Sequence, residues 1–463
     1  MHGVRRWFSR RLGYPPFIFG HGVRVRDALL RGPRLVEEKR RLCRTPREQL
    51  RQRQLEMLQR LLVHAGRTCP FYRQRFKEAG FDPDRFQSLD DLAGVPPVSK
   101  QDLRARRQEM VSETFDRRLL VPLVTGGSTG VPMELYTDRE AWLHNKVTGT
   151  LDYEYAGWRP GAAFAWLWGA PFEVKATQTL IGTMAKFARY LALLNTFRLN
   201  DDVLADYHAQ LTKFKPSVLL GYTSSLLALA GWLERRGVRP GYPTTSLLNA
   251  AEMLLPEQRR RLEQAYGAPM FDRYGTRDCG AVAMECDQHN GLHVNVIDLV
   301  VEPYGGTPGE PQEILVTNLN CCGMPLIRYR IGDMGVFTER ACPCGRTTPL
   351  LERIVGRVTD TIHLADNSLL PGEFFVYLML YFATPVAEFQ VVQEEDRSLT
   401  MRIVRGEDYT PAHEERIREF TGKYTRGLPM RFEYPEEIER TVSGKLRPVI
   451  SRIAERQARQ PAG

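Results

Sequence analysis

A loop of small and hydroxyl-bearing residues, Thr125-Gly126-Gly127-Ser128-Thr129-Gly130, is the stretch whose composition most directly suggests chemistry. Small residues let a backbone fold closely around phosphate oxygens, and hydroxyl and amide groups supply the hydrogen-bond donors. Val131-Pro132 follows in place of the Lys-Ser/Thr pair of a Walker A motif. The loop therefore predicts either a phosphate-binding turn or a tight turn between strands, and composition alone does not separate the two.

Four later motifs combine a glycine with acids, an aromatic ring or a lysine. They are Asp272-Arg273-Tyr274-Gly275-Thr276-Arg277-Asp278, Arg328-Tyr329-Arg330-Ile331-Gly332-Asp333, Gly356-Arg357-Val358-Thr359-Asp360 and Thr441-Val442-Ser443-Gly444-Lys445-Leu446-Arg447. The acids of the first motif are suited to a metal ion or a ribose. Each motif alone is equally typical of a surface turn, an ion pair or a basic tail. Their order along one chain is the more specific signal.

Strand and helix patterns alternate through the middle of the chain and must position these motifs. Strands are predicted at 119–124, 217–221 and 246–250, and helices at 225–236 and 257–266. Such alternation is typical of an α/β fold with an at least partly parallel sheet.

The two ends of the chain have different patterns. Leucines at positions 50, 55, 58, 61 and 62 recur at helical spacing, and residues 1–120 are predicted to be mainly helical. Residues 290–340 are predicted to be rich in strands. After a boundary near Gly356, strand and helix patterns predict a small α+β domain.

Composition excludes several classes of protein. The 463 residues are 43% hydrophobic and 26% charged, which is typical of a globular chain of two or three domains. No apolar run is long enough to span a membrane, and no signal peptide is evident. Eight cysteines in a chain of this length fit reduced thiols, so we expect a cytoplasmic protein. A net charge of +9 without a nucleic-acid-binding motif predicts no nucleic-acid partner.

Taken together and in this order, the five motifs resemble those of the adenylate-forming superfamily of acyl- and aryl-CoA ligases. The chain is most similar to the phenylacetate–CoA ligase group, and closest to its capsule-biosynthesis-type relatives. The stretch from His64-Ala65 to Pro70-Phe71-Tyr72, with Ala79-Gly80-Phe81, also resembles that group's N-terminal helical segment.

The resemblance implies an α/β fold with a large N-terminal domain, containing α/β sheets and a helical N-terminal segment, and a small mobile α+β C-terminal domain. We expect the helical segment at 1–120, the adenylate-forming core with a β-rich insertion at 121–356, and the mobile domain at 357–463. The implied reaction joins a carboxylic acid to ATP, releases pyrophosphate and transfers the acyl group of the acyl-AMP to CoA.

The resemblance also implies roles for individual residues. The nucleotide-binding set comprises Thr125, Gly126, Gly127, Ser128, Thr129, Gly130, Ala251, Glu252, Asp272, Tyr274, Gly275, Thr276, Asp333 and Arg357. Tyr274 would stack on the adenine, and Asp333 would bind the ribose hydroxyls. Lys445 would bridge the carboxylate and the α-phosphate, because a cation offsets the repulsion between two reacting anions.

Two departures from the family pattern bear on catalysis. Arg277-Asp278 replaces the usual Thr-Glu pair, so the carboxylate predicted to hold Mg²⁺ is one methylene shorter. Arg277 would either add positive charge near the phosphates or pair with a neighbour. Residues 364–369 replace the Arg-Gly turn associated with thiol transfer. An amine or hydroxyl acceptor, giving an amide or ester, therefore stays an alternative to CoA, as does a nucleotide-binding protein without turnover.

The cysteines of the β-rich part suggest a structural zinc site. Cys342-Pro343-Cys344 resembles a stretch that binds zinc in some relatives, and Cys286 with either His293 or His289 would complete a Cys₃His tetrahedron. Reduced thiols without metal are the alternative.

Aromatic residues at positions that resemble the family's acyl pocket suit a flat or apolar acid. They are Trp166, Trp168 and Tyr222, with Thr223 beside them. The same side chains would equally suit an ordinary core, and they do not name the acid. Members of this family often form homodimers, and the sequence neither predicts nor excludes one here.

Overall fold

The computed structural model of the protein describes residues 31–125, 133–168, 191–196, 199–357, 362–366, 369–370, 373–380, 382, 385–406, 408–440 and 446–457. Over these ranges it is a mixed α/β structure, as the sequence predicts. Among the helices described, none is both long enough and apolar enough to cross a bilayer.

The helices alternate with strands in the middle of the chain. They are α1 (Gly32–Leu42), α2 (Arg47–Thr68), α3 (Pro70–Glu78), α4 (Lys100–Met110), α5 (Arg139–Tyr155), α6 (Asp201–Phe214), α7 (Thr223–Arg235), α8 (Pro256–Tyr266), α9 (Glu373–Leu380), α10 (Pro411–Thr425) and α11 (Arg452–Gln457). Short 3₁₀ turns lie at Pro83–Arg85, Leu89–Gly94 and Arg117–Leu119.

The strands form three larger sheets and two hairpins. They are β1 (Val121–Thr125), β2 (Met133–Thr137), β3 (Phe164–Trp168), β4 (Leu191–Asn195), β5 (Val218–Gly221), β6 (Ser246–Asn249), β7 (Met270–Phe271), β8 (Arg273–Thr276), β9 (Gly280–Glu285), β10 (Leu292–Val294), β11 (Leu299–Tyr304), β12 (Gln312–Asn318), β13 (Tyr329–Thr338), β14 (Leu350–Arg357), β15 (Ile362–His363), β16 (Leu369–Leu370), β17 (Val386–Gln393), β18 (Leu399–Arg405), β19 (Met430–Glu433) and β20 (Val449–Ser451).

The predicted parallel sheet is present. Its strand order is β4-β3-β5-β6-β7, and every neighbouring pair is parallel. Helices α6, α7 and α8 pack on one face around a buried apolar core. Phe164, Trp166 and Trp168 alternate onto the other face. The carboxyl ends of parallel strands share one edge, which brings the segments after β3, β5 and β6 close together.

A seven-stranded antiparallel sheet carries most of the polar motifs. Its order is β11-β12-β13-β14-β10-β9-β8. The leucine stripe of α2 packs against it in one continuous core, in which Leu58, Leu61 and Leu62 are at most 2% exposed. The amphipathic helix predicted from the leucine spacing is therefore present, and it covers the sheet that holds the candidate site.

The strand predicted at 119–124 begins two residues later than expected. Residues 117–119 form a 3₁₀ turn instead, because the side chain of Asp116 accepts a hydrogen bond from Arg118 N. Leu119 is consequently exposed, and β1 pairs with β2 in an antiparallel hairpin.

The C-terminal part has its own sheet and core. The strand order is β19-β18-β17-β20, with β17 and β18 antiparallel and the outer pairs parallel. Helices α9 and α10 contribute Phe375 and Ile417 to a buried core with Val391, Met401 and Ile403. This matches the predicted small α+β unit.

Candidate active site

Tyr274 and Asp333 meet across the large antiparallel sheet. The phenol of Tyr274, on β8, donates a 2.8 Å hydrogen bond to Asp333 Oδ2, on β13. The ladder from β13 to its neighbours is irregular here, and Gly332 has φ +83°, so the strand bends immediately before Asp333. Bulges of this kind redirect a side chain next to a functional site. Arg357, on β14, is the backbone partner of Asp333.

A second acid, Asp278, lies partly buried after β8. It accepts a 2.8 Å hydrogen bond from the phenol of Tyr329, which is fully buried. Burial raises the pKa of the Asp278 carboxyl, while the nearby ammonium of Lys100 and the Tyr329 hydroxyl act in the opposite direction. The site thus holds a carboxylate in surroundings that favour adding a cation.

Lys100 is the residue that the sequence reasoning did not select. If Gly332 carried a Cβ, that atom would lie 3.3 Å from Lys100 Nζ, so the lysine ammonium is close to the sheet at Gly332. Lys100 is the first residue of α4, which is more than 170 residues from Asp278 in the chain. A lysine at a helix start has no local signature of function, and only the tertiary pairing brings it to the acids.

Asp272 belongs to a separate group, in which Glu285 is buried. Burial, with the Glu285 carboxylate close by, raises the pKa of Asp272 to about 6. Its backbone N–H donates to Glu285 Oε2 at 2.8 Å, and Arg259 forms an ion pair with Glu285. We expect the Asp272 side chain to be partly protonated near neutral pH, unlike an exposed aspartate.

The Ala251-Glu252 turn follows β6 at the edge shared with β5. Ala251 has φ +67°, a left-handed conformation that a non-glycine residue seldom adopts and that clusters at functional sites. The Glu252 carboxylate accepts hydrogen bonds from Ser224 N at 2.7 Å and Ser224 Oγ at 2.9 Å. The turn predicted to line the adenine is therefore tied to the first turn of α7.

Gly275 and Thr276 form the end of β8. A side chain on Gly275 would place its Cβ 2.9 Å from the carbonyl oxygen of Gly280, so a glycine is required where the two strands approach. The Thr276 hydroxyl accepts from Cys279 N at 3.0 Å and closes the turn that carries Arg277 and Asp278.

Aromatic rings gather at the ends of β3 and β5. The Trp168 and Tyr222 rings are 4.6 Å apart, and Trp166 and Trp168 are 6.2 Å apart. Thr223 begins α7 directly after Tyr222 and is 2% exposed. The four residues predicted to line the acyl pocket thus lie along one edge of the parallel sheet.

Three thiols and one imidazole lie together on the antiparallel sheet. Ligand atoms of Cys286, His293, Cys342 and Cys344 all fall within 4.8 Å of one another. His289 points elsewhere, with its Nδ1 3.1 Å from Glu285 Oε2. Of the two histidines that the sequence left open, the geometry therefore favours His293.

Two of the separations within this group are close to those that a tetrahedral zinc site requires. The Cys286 and Cys342 sulfurs are 3.6 Å apart, and Cys344 Sγ is 3.3 Å from His293 Nε2. Zinc bonds of about 2.3 Å to sulfur and about 2.0 Å to nitrogen require ligand separations of roughly 3.5–3.8 Å in a tetrahedron. His293 Nδ1 is hydrogen-bonded to Thr348 Oγ1 at 2.9 Å, which leaves Nε2 for a metal.

Part of the predicted site lies outside the described residues. Residues 126–130 of the glycine-rich loop and Lys445 belong to that part. Thr125 ends β1, so the hairpin from which the loop starts is described.

The fold is that of adenylate-forming ligases. A solved structure of 2-hydroxyisobutyryl-CoA ligase, in the postadenylation state with 2-HIB-AMP, superposes with a TM-score of 0.69 and 22% identity, covering 89% of this chain and 93% of that one. The same ligase with 2-HIB-AMP and CoA in the thioesterification state superposes with a TM-score of 0.59.

Relatives in sequence are of two kinds. The chain is 27% identical to the phenylacetate-coenzyme A ligase of Thermus thermophilus, over 76% of this chain and 80% of that one. It is 23% identical to protein CapK of Staphylococcus aureus, over 83% and 85%. Residues 371–452 match the family model of the CapK C-terminal domain. The resemblance to phenylacetate–CoA ligases and their capsule-type relatives is therefore confirmed.

Proposed function

We propose that the protein is an ATP-dependent acid ligase that activates a carboxylic acid as acyl-AMP, releases pyrophosphate and transfers the acyl group to CoA. The observation that carries this proposal is that Asp333 and Asp278, each held by a tyrosine hydroxyl, lie near the ammonium of Lys100. Asp278 also lines a small cavity with Leu123 of β1 and Leu135 of β2. The similarity to phenylacetate–CoA ligases supports the same reaction class.

Each of these side chains has a role in binding MgATP under this proposal. Asp333, held by Tyr274, accepts hydrogen bonds from the ribose hydroxyls. Asp278 binds Mg²⁺, since a divalent cation stabilises the charged form of a carboxylate that has lost part of its contact with water. Lys100 neutralises phosphate charge, a common role of lysine. The loop 126–130, the turn at Ala251 and the ring of Tyr274 complete the nucleotide site.

We propose that the second half of the reaction uses the C-terminal part as a mobile domain. The proposed boundary lies at the last residue of β14, so that 1–120 and 121–356 form the large domain and 357–463 the small one. Lys445 would come with the small domain in the first step. CoA is the expected acceptor. An amine or hydroxyl is the alternative, because the sequence at 364–369 departs from the Arg-Gly turn associated with thiol transfer. The eight free cysteines favour a reducing compartment and support a cytoplasmic location for this reaction.

The Cys₃His group is proposed to hold a structural zinc ion. All four positions are filled by protein side chains, which is typical of structural sites and leaves no position for substrate. Arg346 N donates to Cys344 Sγ at 3.5 Å, as backbone amides do around metal-bound thiolates. Zinc would therefore staple the loop between β13 and β14 to β9 and β10.

The test of the function is carboxylate-dependent exchange of labelled pyrophosphate into ATP, over a panel of aryl, short branched, fatty and amino acids. Exchange with one class establishes acyl-AMP formation and names the class of acid. CoA and hydroxylamine are then compared as acceptors. ATP binding without exchange for any acid would favour the nucleotide-binding alternative, and absence of ATP binding would contradict the proposal.

Replacing Asp333 tests the ribose assignment. Asp333→Ala is expected to weaken ATP binding by about 10²–10⁴-fold, because two hydrogen bonds to a charged group contribute roughly 1.5–3 kcal/mol each. Tyr274→Phe keeps the carboxylate and is expected to have a smaller effect. Titration calorimetry with ATP measures both variants. Unchanged affinity in Asp333→Ala would remove this residue from the nucleotide site.

A further inference from the structure

Residues 93–99, which we call the strap, connect the 3₁₀ turn Leu89–Gly94 to helix α4 and lie along the start of β13. Val98 N donates to Arg328 O at 3.0 Å, and Arg330 N donates to Val98 O at 2.9 Å. This isolated pairing of Val98 with Tyr329 ties the strap to the strand that carries Gly332 and Asp333. Lys100 follows the strap directly.

Arg328 holds the first half of the strap. Its guanidinium donates to the carbonyl oxygens of Val95 at 2.7 Å and Ala93 at 3.1 Å. The side chain is 7% exposed and forms an ion pair with Glu302. Arg328 also has φ +49°, a conformation that non-glycine residues disfavour. A buried cation in a disfavoured backbone conformation indicates that these contacts over-determine its position.

Arg75, on α3, holds the second half. Its guanidinium donates to the carbonyl oxygens of Pro96 and Pro97. Neither proline has a backbone N–H with which to pair with a strand, so the arginine supplies hydrogen bonds at this point of the strap. The same guanidinium is 3.6 Å from Asp102 Oδ1. Asp102 and Ser99 form the capping box that starts α4. Arg75 therefore orders both the strap and the helix turn that begins with Lys100.

We propose that Arg328 and Arg75 are positioning residues for nucleotide binding. They fix the strap and, with it, the position of the Lys100 backbone. This inference rests on the proposed function. A lysine side chain has four rotatable bonds, so its ammonium stays beside Gly332 and Asp278 only while its backbone is held. Neither arginine needs to contact the nucleotide, because each acts through Lys100.

Double-mutant cycles on the full-length protein test the proposal, with the Kd values of ATP and AMP measured by titration calorimetry. Arg328→Gln and Arg75→Gln are each expected to weaken ATP binding about tenfold, and AMP binding less than about twofold, since AMP lacks the outer phosphates. In a Lys100→Ala background the same substitutions should each add less than about twofold. Arg328→Lys, which keeps one donor, should partly restore the affinity.

The controls separate positioning from a general loss of structure. Arg73→Gln changes an exposed arginine of the same helix that pairs with Glu113, and it should leave both Kd values unchanged. Arg75 is about one-fifth exposed, so Arg75→Gln carries the test if Arg328→Gln does not fold. Equal losses in the wild-type and Lys100→Ala backgrounds would overturn the positioning role while leaving the ligase proposal intact. A wild-type protein that binds neither ATP nor AMP would overturn both.

Discussion

Removing the zinc ion that we propose for the Cys₃His group is expected to lower the unfolding temperature of the protein by roughly 10 °C. Loss of a structural metal is among the changes that cost more than about 4 kcal/mol, and each kcal/mol shifts the midpoint of a large domain by about 2–4 °C. Metal analysis of the purified protein should give one zinc per chain, and thermal unfolding with and without a strong chelator should show the shift.

The large effect is expected from the contacts of the loop between β13 and β14, which carries Cys342 and Cys344. Thr347 N donates to Cys43 O at 3.0 Å, at the end of α1. The Arg346 guanidinium lies 3.9 Å from the centre of the Tyr155 ring, and the Tyr155 hydroxyl donates to Cys43 Sγ at 3.1 Å. Loss of the metal therefore loosens contacts to α1 and α5 as well as the loop.

Single substitutions separate metal binding from the packing of thiols. Cys344→Ser should abolish zinc binding and reproduce the lowered midpoint, whereas Cys322→Ser, a similar change at a partly buried thiol outside the group, should have little effect. Hydrogen exchange should rise in α1 for Cys344→Ser alone. Purified protein without zinc, together with equal stability of the two variants, would contradict the structural role.

Local patterns were sufficient to predict several elements. The leucine spacing in α2 reflects burial on one face, and the apolar runs at β5 and β6 reflect strands buried on both faces in a parallel sheet. The predicted start of β1 was two residues too early. The Asp116 side chain accepts a hydrogen bond from Arg118 N, and this local turn competes with strand pairing.

The candidate site was predictable only in part, because its remaining members come together through long-range pairing. Nothing near Lys100 in the chain signals a function, and its place depends on the pairing of Val98 with Tyr329. The choice between His293 and His289 likewise depends on the pairing of β10 with β9 and β14. The two histidines are only four residues apart, so the spacing of ligands along the sequence does not distinguish them.

Lys445→Ala is expected to separate the two half-reactions. The chain after this residue is anchored to the C-terminal sheet, where Gln390 Nε2 donates to Arg447 O at 3.0 Å and Val449 pairs with Val391. Lys445 itself lies outside the described residues. If Lys445 moves with the proposed small domain, its ammonium reaches the proposed active site only in the arrangement used for the first step.

The expected loss follows from the charges that meet in each step. Attack of a carboxylate on the α-phosphate brings two anions together, and removing one group that stabilises such charge costs about 10²–10³-fold in rate. A thiol that attacks acyl-AMP reacts at an uncharged acyl carbonyl carbon, so no carboxylate anion approaches a phosphate in that step. We therefore expect Lys445→Ala to reduce pyrophosphate exchange by about 10²–10³-fold while supplied acyl-AMP is still converted at near the wild-type rate.

Both half-reactions must be measured on the same preparation for this comparison to decide. Exchange of labelled pyrophosphate reports the first, and consumption of synthetic acyl-AMP with CoA reports the second. Lys423→Ala is the matched control, because Lys423 is an exposed lysine of the same part that pairs with Glu419, and it should change neither rate. Equal losses in both half-reactions for Lys445→Ala would contradict the alternation of domains. They would instead indicate one fixed arrangement in which the lysine serves both steps.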